Sequence, residues 1–413
     1  MVVKKYIIST DGFGESNVKC LNSEEFMNFY LKDKPCLDDV SFVGDSKEIE
    51  KMKAVFEFLK YYEETIVKLN NSMKNYNDLY VREDNVFIKE AMEQFASSNS
   101  GGKFLRGFLA CLGYNIFNGE GDDYIPLSVA LEFFQTSVLI HDDIIDKAST
   151  RRGRDTIPVK YSKIYSEPIN YNDSFDDKLK GLSDSMALCI GDIGLYLTNQ
   201  ILINNYSNRD VFGRLFGYYN DMAIKTCKGE LIDVALPFYE EFYGTDDLEK
   251  HIMEIYKLKT GWYSVVGPTA LGGILAGGSD ENIHALEDAL MNLGIAYQIK
   301  DDLLGIYGDE EKIGKSILTD AEEFKQTLLY SYAVSHGYKD SLLEVYGKDN
   351  LSFKDIEKVR KIFDSCGSKK YCLDMMDFLF KDSFECILSL DFIDTHFKKI
   401  LLGFAEFLRV RRS

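Results

Sequence analysis

The chain has 413 residues, of which 45% are hydrophobic, 13% aromatic and 28% charged, a balance too apolar for disorder and ample for a buried core. Only six residues are proline, well under the usual share of about 5%, which favours long uninterrupted helices over a proline-punctuated β protein. The net charge of −19, from 48 Lys+Arg against 67 Asp+Glu, argues against nucleic acid or an anionic membrane surface as a partner, so any anionic ligand needs a local basic pocket or metal ions.

Residues 1–50 form an N-terminal extension of unassigned role: residues 4–10 read as a strand, 11–14 as a turn, and Pro35 interrupts the later part of the segment. The opening residues lack the apolar stretch of a secretory signal, and no later run reaches the roughly 18 apolar residues of a membrane span. Eight cysteines without a CxxC pair and five histidines at no zinc spacing read as reduced core thiols. The expectation is a cytoplasmic protein without stable membrane insertion.

Residues 51–413 read as one helical domain. Apolar residues recur at helical spacing through residues 59–69 with strong helix formers between them. Residues 126–146 start with Pro126 in a favourable first-turn position and are apolar on most faces, as in a helix buried all round. That helix closes on Asp142, Asp143 and Asp146, acids that oppose the macrodipole at a helix C-terminus unless something cationic binds them. Residues 165–180, rich in Asn, Asp and Tyr around Pro168, read as a surface loop. Residues 286–305 repeat the first arrangement, ending in Asp301 and Asp302.

At about 100° per residue, Asp142 and Asp146 lie roughly 40° apart on one face and Asp143 points to the side. Two converging carboxylates suit a hard cation such as Mg²⁺, which takes one or two of them together with phosphate oxygens. Taken alone the pattern is weak, because acids at this density repeat it by chance. Its neighbours strengthen it. Arg151 and Arg152, followed by Gly153, suit bidentate capture of phosphate, and Gly101-Gly102 precede Lys103 and Arg106, one turn apart on one face.

The order of these motifs resembles that of the trans-type (all-E) isoprenyl diphosphate synthases over about residues 55–412. The match runs through Gly101-Gly102-Lys103-x-x-Arg106, Gln135, Asp142-Asp143-x-x-Asp146, Arg151-Arg152-Gly153 and Gly191-Asp192. It continues with Gly229-Glu230-x-x-Asp233, Lys259-Thr260, Gln298-x-x-Asp301-Asp302, Gly314-Lys315, Asp320 and Lys325. The resemblance implies an all-α isoprenoid synthase-type bundle of long helices around a deep central cavity, working as a homodimer. It implies head-to-tail condensation of isopentenyl diphosphate with an allylic diphosphate. Three magnesium ions per site would sit on the aspartates, Asp142, Asp146 and Asp301 above all, with Asp143 and Asp302 in the same motifs. Arg151, Lys259, Lys315 and Lys325 would add positive charge, and Lys103, Arg106, Gln135 and Arg152 would hold isopentenyl diphosphate. Thr260, Gln298 and the Lys259 backbone would shield an allylic cation, with Lys259, Thr260 and Gln298 as the catalytic group.

Three positions depart from the family pattern: Gly305 stands where many members have a third aspartate, Glu230 where glutamine is common, and Phe324 where a glycine precedes the later lysine. Asp309, one turn beyond Gly305, would partly compensate. The resemblance implies that the floor of the chain pocket falls on Ser137 and Val138, neither aromatic, and then on Phe134 one turn deeper. A turn of about 5.4 Å is close to an isoprene unit, which leads to a fifteen- to twenty-carbon product. A class I terpene cyclase fits less well, since Ile224 and Lys228 occupy the positions that its second metal motif needs. A noncatalytic subunit of a heteromeric synthase and a purely structural helical protein are the other readings.

Overall fold

Both apolar segments that end in paired aspartates form long helices in the computed structural model. It describes residues 46–166, 176–238, 247–308, 317–348 and 350–411 together with the backbone of three strands, β1 (Tyr6–Ser9), β2 (Val18–Cys20) and β3 (Val40–Val43). These strands make a parallel sheet in the order β2-β1-β3, with Ile7 opposite Val18 and Tyr6 opposite Val40. The strand read over residues 4–10 is β1, whereas the turn at 11–14 and Pro35 lie outside the described residues.

The helical part runs α1 (Ser46–Tyr80), α2 (Val86–Ser98), α3 (Leu105–Ile116), α4 (Ile125–Ile145), a hairpin of β4 (Thr150–Arg151) and β5 (Arg154–Asp155), then α5 (Ile157–Ser166), α6 (Asp176–Tyr206) and α7 (Phe212–Ala235). After it come α8 (Leu248–Ile255), a π-helical segment (Tyr256–Val266), α9 (Gly267–Leu275) and α10 (Asp280–Tyr307). The C-terminal third adds α11 (Thr319–Glu322), α12 (Leu328–Ser335), α13 (Lys339–Leu343), α14 (Phe353–Cys366), α15 (Ser368–Ser389) and α16 (Thr395–Val410). The stretch 165–180 is not the single loop that its composition indicates. Helix α5 ends at Ser166 and α6 starts at Asp176; residues 167–175 lie outside the described set.

Local chemistry marks the ends of the two site helices. Pro126 sits in the first turn of α4, where its missing N–H is no loss. Ser279 caps α10, its hydroxyl accepting from the Asn282 amide, and Asp280 and Glu281 complement the dipole of that first turn. Helix α4 packs against α3 and α6, α10 against α15 and the π-helical segment, and α16 returns along α1. Leu127, Val129, Leu131 and Phe133 of α4, and Leu286, Leu290 and Leu293 of α10, have no more than trace exposure.

Helix α6 carries a stretch, Leu179–Tyr206, long and apolar enough by length and composition to cross a membrane. It does not stand out in the sequence because Asp184 and Asp192 break the apolar run. Its outer side exposes Leu182, Leu188, Tyr196 and Ile203.

The close crossing of α3 and α9 fixes the base of the site. A Cβ at Gly272 would lie 2.0 Å from the Ala110 carbonyl, and one at Gly113 would lie 1.9 Å from the Thr269 carbonyl, so the two backbones touch. Since the obstruction is backbone, a methyl group can enter only by separating the helices. Gly272→Ala is therefore expected to destabilise the fold by about 3 kcal/mol or more, read as a lower urea midpoint with an unchanged slope.

Candidate functional site

The C-terminal end of α4 presents its three aspartates in different directions. Asp142 lies 3.3 Å from Arg151 Nη2 and 3.7 Å from the Lys259 ammonium. Asp143 is buried and accepts from Arg151 Nε at 2.5 Å, so this carboxylate serves to anchor Arg151. Burial first, and Asp142 second, push the Asp146 carboxyl up to about 6.

Adjacent arginines reach different destinations because the hairpin reverses between them. Arg152 (φ 53°) and Gly153 (φ 70°) are both left-handed, the backbone of a two-residue type I′ turn joining β4 to β5. Arg151 turns to the aspartates. The Arg152 guanidinium instead lies over Gly102, 3.1 Å from where a side chain there would begin. The glycine pair read from the sequence therefore makes room for this arginine.

On α10, Asp301 is partly exposed and accepts from Arg411, whose guanidinium also lies 4.0 Å over the ring of Tyr297. Asp302 is buried, and both its oxygens are engaged, one by the Tyr256 hydroxyl and one by Gln298 Nε2 at 2.8 Å. Tyr256 OH in turn accepts from the Leu328 amide. Gln298 Oε1 accepts from the Thr260 hydroxyl at 2.5 Å, which joins Thr260, Gln298 and Asp302 in one chain. Asp143 and Asp302 are thus buried against their protein partners, while Asp142, Asp146 and Asp301 keep some exposure, Asp142 beside Arg151 and Lys259 and Asp301 beside Arg411.

Two lysines tie the helix ends together. Lys259, on the π-helical segment, is 2.7 Å from both Glu230 and Asp233 of α7. Burial opposes its charge, but Asp233, Asp142 and Glu230 outweigh burial and hold its pKa above the ordinary range. The unusual Glu230 is thereby neutralised by a direct ion pair. Burial also opposes the charge of Lys325, and Asp320, Asp233, Asp302 and Asp142 overrule it in the same way. Lys325 thus feels carboxylates of α4, α7 and α10 together, which places the two acidic helix ends within electrostatic reach of one ammonium group.

Gly305 is accounted for by this arrangement. A Cβ there would lie 2.0 Å from Asp320 Oδ2, so the bare backbone of α10 admits the buried Asp320 carboxylate beside Asp302 and Lys325. Asp309, Gly314 and Lys315 lie outside the described residues.

A basic cradle faces the acids. Arg106 donates to Ser264 Oγ at 2.6 Å, and its guanidinium rests 4.0 Å over the ring of Tyr263. The Tyr263 hydroxyl donates to Gln135. Arg106 Nε is a buried donor with no protein partner among the described residues, a cost that an anionic ligand would remove. Lys103 adjoins the group, its pKa lowered by burial first and by Arg411 next. In an α-helix Lys259 and Ser264 would stand about 140° apart; the wider i→i+5 turn of the π-helical segment reduces this to about 50°, with Lys259 reaching Glu230 and Asp233 and Ser264 reaching Arg106.

Sequence reasoning overlooked Glu132, Tyr263 and Arg411. Glu132 of α4 is buried and accepts from the Gly107 amide at 2.8 Å. Burial raises its pKa, and the guanidiniums of Arg106 and Arg152 pull the other way, so it faces both cradle arginines. A glutamate amid the long apolar helix, one turn from Ser128, Gln135 and Thr136, was the available signal. The signal for Arg411 was the basic C-terminal run, but the run does not name Asp301 as its partner.

The floor candidates separate. Phe134 is buried edge-on to Tyr219 and Tyr263, with ring centroids 5.8 and 5.5 Å away. Val138 is half-buried beside the same apolar group. Ser137 instead donates to the Phe133 carbonyl at 2.9 Å and lies against Gly194 of α6. Four of the seven left-handed non-glycine residues among the described residues adjoin or belong to the site motifs: Phe104 beside Lys103, Lys147 beside Asp146, Arg152 itself and Phe324 beside Lys325.

The donors fit magnesium. They are carboxylate oxygens, and among the described residues no three acidic, histidine or cysteine side chains converge closely enough to hold an ion alone. The remaining ligands must come from elsewhere, as when phosphate oxygens and water complete a Mg²⁺ shell. Replacing Glu132 by Leu would strand the Gly107 N–H and leave two guanidiniums without their buried counter-charge. The expected loss is about 2–4 kcal/mol, with less from Glu132→Gln, by chemical denaturation.

The family described as Polyprenyl synthetase matches residues 86–364. Short chain isoprenyl diphosphate synthase of Methanothermobacter thermautotrophicus is 30% identical over 66% of this chain and 75% of its own length. Geranylgeranyl diphosphate synthase of Sulfolobus acidocaldarius is 27% identical over 77% of this chain and 86% of its own. Among solved structures, geranylgeranyl pyrophosphate synthase from Corynebacterium glutamicum, complexed with isoprenyl diphosphate and magnesium, superimposes with a TM-score of 0.75 at 24% identity, over 86% of this chain and 99% of that one.

Proposed function

This chain belongs to the polyprenyl synthetase family and is a prenyltransferase, and from that premise we propose that it condenses isopentenyl diphosphate head-to-tail with an allylic diphosphate. The product is an all-trans polyprenyl diphosphate of fifteen to twenty carbons. One observation carries this reading: acidic ends of α4 and α10 gathered around Lys259 and Lys325, opposite a basic cradle whose Arg106 Nε is a buried donor without a protein partner.

Asp142, Asp146 and Asp301 would hold magnesium, three ions per site, which would supply Lewis-acid neutralisation of the leaving diphosphate. Arg151, Lys259, Lys315 and Lys325 add positive charge to the same group. Lys103, Arg106, Gln135 and Arg152 bind isopentenyl diphosphate, oriented by Tyr263 and Glu132. The allylic C–O bond breaks with its electron pair leaving on the diphosphate. The resulting allylic cation is attacked by the isopentenyl double bond, forming the new C–C bond, and a diphosphate oxygen takes the proton lost from the adjacent carbon. Thr260 and Gln298, held by their mutual hydrogen bond, present oxygen dipoles to the cation and keep water from it.

Purified protein with Mg²⁺, isopentenyl diphosphate and each allylic primer in turn is expected to yield linear prenyl diphosphates. EDTA should abolish the product, and Asp142→Ala should lower turnover by at least about 10³-fold. Phe134→Ala should lengthen the product by about one isoprene unit, seen by chromatography of the dephosphorylated chains. No condensation with any primer would favour a noncatalytic subunit, and a cyclic hydrocarbon from one substrate would favour a cyclase.

The outer faces of α6 and α7, with Leu188, Tyr196 and Leu231 exposed, support a homodimer that covers them rather than a membrane span. With the net charge of −19, this supports a cytoplasmic enzyme. Light scattering should give about twice the 47.2 kDa chain mass, falling to one chain mass on Leu231→Glu.

A further inference from the structure

Behind the first acidic motif, on the side of α4 that carries Thr136 and Asp143, lies a cavity of about 50 Å³. It is closed by the end of α2, the β4–β5 hairpin and the first turn of α5. Its wall combines Arg152, Arg154 and Lys160 with the hydroxyl-bearing Ser97, Ser98 and Thr136. The proposed reaction does not use Arg154, Lys160 or this volume.

The charges of the wall do not cancel. Of its two acids, Asp143 is paired with Arg151 at 2.5 Å, and Asp155 is paired outward with Lys163 at 2.6 Å. Arg154 makes one hydrogen bond to the Ser97 carbonyl at 3.3 Å, and Arg152 one to the Ser98 carbonyl at 3.5 Å, which leaves most of the five donors on each guanidinium unused. Lys160 has no ion pair among the described residues. Its pKa is lowered by burial first and by Arg154 second, against the weaker pull of Asp155. Three cations thus line a partly enclosed space in a chain whose net charge is −19; Lys160 is half-buried, while Arg152 and Arg154 stay exposed with guanidinium donors open to an incoming anion. The size narrows the ligand. One water needs about 10–15 Å³ of such volume, so this cavity accommodates a few waters or one tetrahedral ion and excludes a prenyl chain.

We propose that this pocket is a binding site for a single tetrahedral oxyanion of the phosphate class, gripped by Arg154 and Lys160 and bounded on the hairpin side by Arg152. The site is separate from the diphosphate cradle and needs no magnesium. Because Arg152 lines both places, occupancy restrains the hairpin that positions it; this coupling alone rests on the assignment of Arg152 to isopentenyl diphosphate.

The test is isothermal titration of inorganic phosphate into EDTA-treated full-length protein. A Lys103→Ala/Arg106→Ala variant, which lacks the cradle, should retain phosphate binding, and Arg154→Gln/Lys160→Met should weaken it at least tenfold with an unchanged thermal melt. If that pair lowers the melt, Lys160→Gln alone should still weaken binding severalfold. In the Lys103→Ala/Arg106→Ala background inorganic pyrophosphate should bind less tightly than phosphate. The proposal is overturned if phosphate binding is lost with the cradle, if it is indifferent to Arg154 and Lys160, if pyrophosphate binds the cradle-less variant more tightly, or if no binding is detected at millimolar phosphate. None of these readouts depends on prenyl transfer, so a failure here and a failure of the condensation assay are separable.

Discussion

Two ammonium groups hold together a set of carboxylates that would otherwise drive the site apart. Asp142 and Asp146 come from α4, Glu230 and Asp233 from α7, Asp302 from α10, and Asp320 from α11; Lys259 and Lys325 stand among them. At 2.7 Å and an effective dielectric of about 20, each direct pair gives a gross attraction of about 6 kcal/mol. Much of that offsets desolvation and repulsion between the acids. The balance leaves more carboxylate than ammonium at the mouth, a surplus that divalent cations are suited to answer. The same lysines therefore serve the fold before any ligand arrives and the leaving group afterwards.

Geometry at the site is obtained by forcing the backbone rather than by relaxing it. Left-handed residues are uncommon outside glycine, and each is disfavoured by about 1–3 kcal/mol. Here they flank the cradle lysine, the first metal motif, the arginine hairpin and the later lysine. Phe324 shows how such strain is offset. Its φ of 56° explains why a glycine suits this position, and its ring packs edge-on against Tyr330 and Tyr346, 5.7 and 6.2 Å away, which returns packing energy that glycine could not supply. The hairpin uses the same device for aim, turning Arg151 to Asp142 and Asp143 and laying Arg152 over Gly102.

Much of this was readable along the chain. Helices α4 and α10 followed from their apolar periodicity, and the angular relation of Asp142 to Asp146 followed from helix geometry. The strand near residue 6 was also legible. What could not be read was partnership. Nothing in the local text says that Asp302 faces Tyr256, that Gly305 makes room for Asp320, or that Arg411, 110 residues downstream, closes on Asp301. The π-helical segment was equally hidden, because an i→i+5 ladder is selected by what its side chains must reach and not by the propensities of residues 256–266. The start of α6 was read as loop because Asn and Asp weaken a helix interior yet suit its first turn.

By itself the sequence determined which groups were available: long helices from periodicity, acids at two helix ends, basic residues at set intervals, and hence a family. Those properties depend on neighbours within a few residues, where rise per residue and side-chain direction are constant. The tertiary structure decided which acids keep exposure and which are consumed by buried hydrogen bonds, which partner each arginine takes, and that Phe134 packs between Tyr219 and Tyr263. Many of these choices depend on contacts between segments that the chain separates, by 46 residues for Tyr256 and Asp302 and by 110 for Asp301 and Arg411, set by helix crossings as close as that of Gly272 and Ala110.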